Sequence, residues 1–141
     1  MFLGEYDVRI GDKNRIAIPA RFRADFQPGL VLAQGMDDTP CLNVFTFAEW
    51  ERFYQRISAV PIEKSRGREA RRLFFASAFS TEIDRQGRFV LPPALRQYAQ
   101  LANDVILVGT GDHLEIWNRD AWSLHRDKLG GLRAQITETL G

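Results

Sequence analysis

The chain repeats a short signature at a fixed interval. Gly11-Asp12-Lys13-Asn14-Arg15 runs into Ile16-Ala17-Ile18-Pro19, and Asp84-Arg85-Gln86-Gly87-Arg88 runs into Phe89-Val90-Leu91-Pro92. Arg15 and Arg88 stand 73 positions apart, and so do Pro19 and Pro92. Each copy is a polar turn feeding a short apolar strand that a proline ends. Gly87 can take a positive φ at no steric cost, and Asp84 can accept hydrogen bonds from the turn backbone, so the second turn has its own reason to be rigid. The correspondence continues downstream. Residues 105–108 follow 31–34 with Gly109 in the place of Gly35, residues 114–117 follow 42–45, and Trp122 follows Trp50. A unit of about 45 residues with four short strands buries too little apolar surface to offset its own ordering entropy. The expected solution is a pair of copies sharing one core with pseudo-twofold symmetry, mainly β with flanking helices, displaying both arginine-bearing turns from one scaffold.

The first copy reads as strands over 5–10, 15–18, 30–33 and 41–45, with a short helix over 20–26 after Pro19. Thr46 with Glu49 three residues on has capping-box spacing, and the helix it starts carries Trp50, Phe53, Tyr54 and Ile57 at helical spacing. A second helix is expected over about 63–78, with Lys64, Arg68, Arg71 and Arg72 on one face. That face could meet phosphates, or simply be solvated and paired with acids. The second copy gives strands over 79–83, 88–91, 105–108 and 114–117, a short helix to 99, and a closing helix over 120–129 that Gly130-Gly131 ends. The remainder to Gly141 has no assigned element.

A length of 141 residues suits one compact domain. The net charge of +1 selects no partner, but 16 of the 19 basic residues are arginine. Arginine suits bidentate phosphate and base-edge contacts, although genome base composition also shapes its use. Cys41 is the single cysteine, so no intrachain disulfide is possible and a reducing compartment is expected. His113 and His125 lack a metal-site spacing. The start Met1-Phe2-Leu3-Gly4-Glu5 meets an acid before an apolar run develops, and no stretch approaches the roughly 18 apolar residues of a membrane span. The expectation is a cytoplasmic protein without a membrane partner. No Gly-rich phosphate loop and no Ser, Cys or metal constellation is present, so no enzyme, cofactor or small-molecule substrate is expected.

Together with Gly4-Glu5-Tyr6, the run from Arg15 to Arg23, Leu91-Pro92-Pro93 and residues 104–122, the two phased motifs resemble the MraZ family of bacterial transcriptional regulators, which carries two AbrB-like swapped-hairpin domains. The resemblance spans essentially the whole chain. It implies tandem AbrB-like repeats forming one pseudo-twofold β-barrel core flanked by helices. The divisions would be repeat 1 over 5–47, a helical connector over 48–76, repeat 2 over 77–120, and a C-terminal helix and tail over 121–141. The implied function is a nucleoid-associated repressor at the promoter of the division and cell-wall gene cluster, a ring homo-oligomer on tandem direct repeats of double-stranded DNA. Carried over by position, Lys13, Asn14 and Arg15 would contact DNA, with Gln86, Gly87 and Arg88 as a second set. Arg9, Arg85 and Arg23 join them as phosphate contacts from position and charge.

The first turn departs from the family pattern: Gly11 stands where Asp84 stands in the second copy, and Asn14 where Gly87 does. Asn tolerates the left-handed region, while the missing carboxylate removes one backbone acceptor and leaves Arg15 in more positive surroundings. The structural alternative for Arg15 and Arg88 is an ion pair that locks the hairpins together. Trp50, Trp117 and Trp122 read as core or subunit-contact residues, with Trp50, Phe53 and Trp122 near the unit's edges where they suit ring association. An antitoxin-like role is the alternative function, since the swapped-hairpin fold also serves in antitoxins.

Overall fold

A computed structural model describes residues 1–141. Along the chain run β1 (Glu5–Arg9), a 3-10 turn (Asp12–Asn14), β2 (Arg15–Ala17), a 3-10 helix (Ala20–Phe26), β3 (Leu30–Gln34) and β4 (Leu42–Thr46). Helices α1 (Phe47–Ser58) and α2 (Ser65–Phe75) connect to β5 (Phe79–Thr81) and β6 (Arg88–Val90). Then come α3 (Pro93–Tyr98), β7 (Asp104–Gly109), β8 (Leu114–Asn118), α4 (Arg119–Gly131) and α5 (Arg133–Glu138).

Six strands pair in the order β1-β7-β8-β4-β3-β5, every pair antiparallel. Exchanging the two repeats turns β1 into β5, β7 into β3 and β8 into β4, and the order returns reversed. The pseudo-twofold axis therefore passes between β4 and β8, where Leu42 faces Ile116 and Val44 faces Leu114. It also passes between β2 and β6, which pair only with each other and bring Ile16 opposite Phe89. β1 lies on β7 of the other repeat and β5 on β3 of the other repeat, so the hairpins are interleaved. No ladder joins β1 to β5, and the expected barrel is a six-stranded sheet facing a separate two-stranded ribbon. Pro19 and Pro92 stop the ribbon strands early, keeping each to three residues.

Period-two alternation sorts the sheet's two faces. Leu30, Leu32, Leu42, Val44, Val105, Leu107, Leu114 and Ile116 meet Ile16, Ile18, Phe89 and Leu91 of the ribbon region, with Phe22, Phe26 and Leu95 from the short helices. Burying each such side chain contributes about 1.5–3 kcal/mol. On the opposite face Val31, Ala33 and Phe45 pack with Phe53 and the partly buried Phe74 beneath α1 and α2. Ile106, Val108 and Trp117 pack there with Cys41 and Trp122 beneath α4. The ribbon and the long helices thus cover opposite sides of the sheet.

Thr46 caps α1 as its spacing predicts, accepting the Glu49 amide at 3.2 Å. Phe53 and Trp122 do not sit at edges: they are buried, 4% and 9% exposed, under the chain's own helices. Large apolar side chains that the fold does leave exposed include Leu73 and Leu124. α4 ends at Gly131, so the glycine pair closes it as expected, two residues beyond 129, and a short separate helix, α5, then occupies the tail. A glycine costs a helix only about 1 kcal/mol, and the backbone bonds of Leu132 to Leu129 and of Ile136 to Leu132 carry the chain onward. No helix is long and apolar enough to cross a membrane.

Candidate nucleic-acid interface

Ile16 and Phe89 face the core, so the alternate ribbon residues Arg15, Ala17, Arg88 and Val90 face outward. The register sets Arg15 opposite Val90 and Arg88 opposite Ala17. The two arginines the sequence separates by 73 positions therefore lie diagonally on one outer face. Val90, opposite Arg15, is half exposed, at 50%. Each arginine opens its strand directly from a turn. Lys13, Arg85 and Gln86 are exposed around this face, and Asn14, Arg15, Arg23 and Arg88 are partly buried. Arg9 is exposed elsewhere: it alternates with the core-facing Tyr6 and Val8, on the face of β1 whose Glu5 and Asp7 meet α4, across the sheet from the ribbon.

The two turns share a backbone plan. Gly11 N–H donates to the Arg15 carbonyl at 2.9 Å, and Asp84 N–H to the Arg88 carbonyl at 2.8 Å. Across the axis, Leu91 N–H donates to Asn14 and Ile18 N–H to Gly87, both at 2.8 Å, so each turn is also held by the other repeat's strand end. In the second turn one Asp84 oxygen accepts the Gln86 and Arg88 amides and the other accepts Arg88 Nε, all at 2.9 Å. The backbone bond from Arg88, with its side-chain bond and that of the Gln86 amide, holds the Asp84 carboxyl below the usual carboxylate range. In the first turn Arg15 Nε donates to the Asp12 carbonyl at 3.2 Å. Lys13 and Asn14 both adopt left-handed backbone, at φ 61° and 57°.

Two arginines from the short helices reach across the axis. Arg23 donates from Nε to the Ile18 carbonyl at 3.0 Å and lies against Gly87, where a Cβ would collide with it. Gly87 is buried beneath that side chain and contributes turn geometry, not surface. Arg96, at the matching position of the second repeat, donates to the Asn14 Oδ1, to the Leu101 carbonyl at 3.1 Å and to Asn103 Oδ1 at 3.1 Å. Arg96 escapes a reading of local motifs because its partner Asn14 is 82 positions away. The repeat interval carries the signal, since Arg96 follows Arg23 by the same 73 residues as Arg88 follows Arg15.

The basic face of α2 is separate. Arg68 donates to the carbonyls of Ile62 and Glu63 at 2.7 and 3.2 Å, and Arg72 pairs with Glu69. Phe74 packs on the helix-covered side of the sheet, which leaves these cations across the sheet from the ribbon. At the axis on that same side, Asn43 faces Glu115, whose Oε1 accepts Trp117 Nε1 at 2.8 Å. Burial opposes charge on His113, and the flanking Glu115 and Asp112 outweigh it, so its pKa is raised. Burial and the nearby Glu115 and Asp37 push the Cys41 thiol up to about 12, which leaves it an unreactive core group. No group of three or more His, Cys, Asp or Glu is placed to hold a metal ion.

A family model described as MraZ protein, antitoxin-like, matches the chain twice, over residues 1–73 and 74–139. The chain belongs to the MraZ family. A protein of Herpetosiphon aurantiacus named transcriptional regulator MraZ is 44% identical over 138 residues, covering 98% of this chain and 95% of that one. MraZ regulators of Thermomicrobium roseum and Heliobacterium modesticaldum are 39% and 36% identical over 140 residues, covering 99% of this chain and 97% and 96% of theirs. The duplicated MraZ match agrees with the palindromic strand order. A solved structure, that of PHS018 from Pyrococcus horikoshii, aligns over 82% of this chain and 88% of its own at 15% identity, with a TM-score of 0.35, too slight a likeness to carry an argument.

Proposed function

We propose that the chain is a DNA-binding transcription regulator of the cytoplasm, gripping duplex DNA with the outer face of the β2–β6 ribbon and its turns. The observation that carries this reading is the pair Arg15 and Arg88 on one outward face, flanked by the exposed Lys13 and Arg85 of the turns. A two-stranded ribbon fits the major groove, where guanidinium groups can meet guanine edges while the flanking cations hold phosphates. Lys13, Asn14 and Arg15 form the principal contact set, with Gln86 and Arg88 secondary. Arg23 serves the fold by covering Gly87 and is a phosphate contact only through whatever part of its guanidinium remains free.

A single turn supplies few contacts, so the reading includes a ring of several copies on tandem direct repeats, repressing the division and cell-wall gene cluster. The relatives' name, transcriptional regulator, supports the general role. A footprint on the chain's own upstream DNA, with native mass measured in the same buffer, tests it. Protected, regularly spaced repeats with a multimeric mass are expected; uniform protection without sequence preference overturns the operator-reading role. The family description also supports a second, antitoxin-like reading. A toxin reading frame beside the gene, and its product co-purifying with the chain, would favour that one.

A further inference from the structure

We propose that Arg96 is the positioning residue of the first turn, fixing Asn14 so that it presents a hydrogen-bond donor, and not an acceptor, to the ligand. The inference rests on the DNA-binding reading above and adds what that turn can recognise.

Arg96 belongs to the second repeat and Asn14 to the first, and their side chains meet directly. An arginine carries donors only, so the carboxamide atom that meets it must be oxygen. That leaves the Asn14 NH2 as the free polar group of the side chain. The guanidinium is itself anchored: Nε donates to the Leu101 carbonyl and Nη2 to Asn103 Oδ1, both at 3.1 Å. The Asn103 backbone carbonyl accepts the Ile10 amide at 2.7 Å, tying the chain just after β1 to the same residue. Arg96 therefore joins α3, the strand end before the turn and the turn itself. Bidentate reading of adenine by an asparagine uses both its oxygen and its nitrogen. With its oxygen held by Arg96, Asn14 is suited to an acceptor: a phosphate oxygen, guanine N7 or O6, or thymine O4. The second turn has Gly87 at this place and Arg23 lying over it, so it has no equivalent contact.

The test is a double-mutant cycle on the full chain, using a short duplex of its own upstream DNA across a salt series. Arg96→Met keeps the apolar stem and removes the donors; Asn14→Gly keeps the left-handed turn and removes the amide. Each is expected to weaken binding about tenfold, and the double variant no more than either alone. Since Arg96 itself touches no phosphate, the salt slope of Arg96→Met should equal that of the unaltered chain. A slope lower by about one would make Arg96 a phosphate contact, and losses that multiply in the double variant would show that it does not act through Asn14; either overturns the proposal. Asn14→Asp separates turn shape from donor: it keeps an oxygen for Arg96, and binding should still be lost. Retained binding would overturn the donor assignment.

Amide exchange without DNA covers loss of fold and failure of the DNA reading. Arg96→Met should speed exchange at Leu91, whose N–H bonds the Asn14 carbonyl, and leave Ile18 unchanged. Arg23→Met should do the reverse. If the unaltered chain shows no preference for its upstream DNA, the functional reading fails, and unchanged Leu91 exchange would separately sink the positioning role.

Discussion

In the second turn Asp84 collects two backbone amides and the Arg88 side chain. In the first, Gly11 offers no acceptor at that place and Arg15 falls back on a carbonyl. The second turn reaches its left-handed residue with Gly87, whereas the first puts Lys13 and Asn14 there in succession. A non-glycine residue in this region costs about 1–2 kcal/mol, least for Asn, so Lys13 is the strained member. The formal charge of the two five-residue turns is the same. The difference lies in commitment: Arg88 is neutralised by Asp84, while Arg15 has no carboxylate partner. One scaffold therefore carries a relaxed, self-paired turn and a strained turn with free positive charge. Under the proposed DNA-binding reading, the strained basic turn is the recognition element and the other copy holds the frame.

The largest effect expected of this asymmetry concerns valency. If only the first turn grips strongly, one chain holds one repeat weakly, and tight binding requires several chains on several repeats. DNA with repeats at native spacing should bind roughly 10²–10⁴-fold tighter than DNA with a single repeat, and inserting half a helical turn between repeats should abolish the gain. Equal binding to all three would mean that one chain carries the full recognition energy, and with it that both turns engage at once.

Next in size is the direct contrast between the arginines. Arg15→Ala should cost about 1–3 kcal/mol of DNA affinity, and Arg88→Ala less, with the native mass of both variants unchanged. Equal losses would erase the functional distinction. Dissociation or unfolding of Arg15→Ala with intact intrinsic affinity would make Arg15 a hairpin lock instead.

Strain gives a prediction with opposite signs in the two turns. Lys13→Gly should raise stability by about 1 kcal/mol while weakening DNA binding, since it relieves the backbone and removes a cation. Gly87→Ala should lower stability by at least about 1 kcal/mol, because φ is 76° and the new Cβ meets Arg23. Denaturant midpoints measure both. Destabilisation by Lys13→Gly would show that the first turn is not under strain.

The duplication, the strand and turn positions and the Thr46 cap were legible because each is written in residues a few positions apart, or at one constant interval. Pairing between repeats was not. Nothing local in Arg15-Ile16-Ala17 says that Phe89 will lie opposite Ile16. Trp117 and Trp122 are core residues, as their apolar neighbours predict. That Phe53 and Trp122 lie under the chain's own helices and not at an edge follows from helices folding back on the sheet, which their sequence positions do not announce. Gly130-Gly131 marked the end of α4, but the short helix α5 beyond it carries no buried residue and so no apolar face to announce it. For the candidate site, position and charge foresaw that Lys13 and Arg15 lie in and beside one exposed turn, but that Arg23 lies over Gly87 depends on the other repeat.

The smallest expected effect is the most direct comparison of the two turns, because it makes the first resemble the second. Gly11 has extended backbone, at φ −89° and ψ −167°, and the nearest atom to an added Cβ is the Arg15 carbonyl oxygen at 3.8 Å, so an aspartate fits without strain. Gly11→Asp should then cap the first turn and pair with Arg15 as Asp84 does with Arg88. An exposed pair of this kind is worth only about 0–1 kcal/mol of stability, and salt should weaken it. The acid dependence identifies the source. Asp84 titrates below the ordinary carboxylate range in the fold, so its contribution is present above the unfolded-state pKa and is lost as pH falls through the lowered folded value. Gly11→Asp should add a second loss of the same sign in the same acid window, and Asp84→Asn should remove the existing one. DNA affinity should move the other way, falling in Gly11→Asp because Arg15 is neutralised and a carboxylate faces the phosphates. A variant that gains stability and keeps full affinity would mean that Arg15 binds equally well when paired, and the difference between the turns would then be one of stiffness alone.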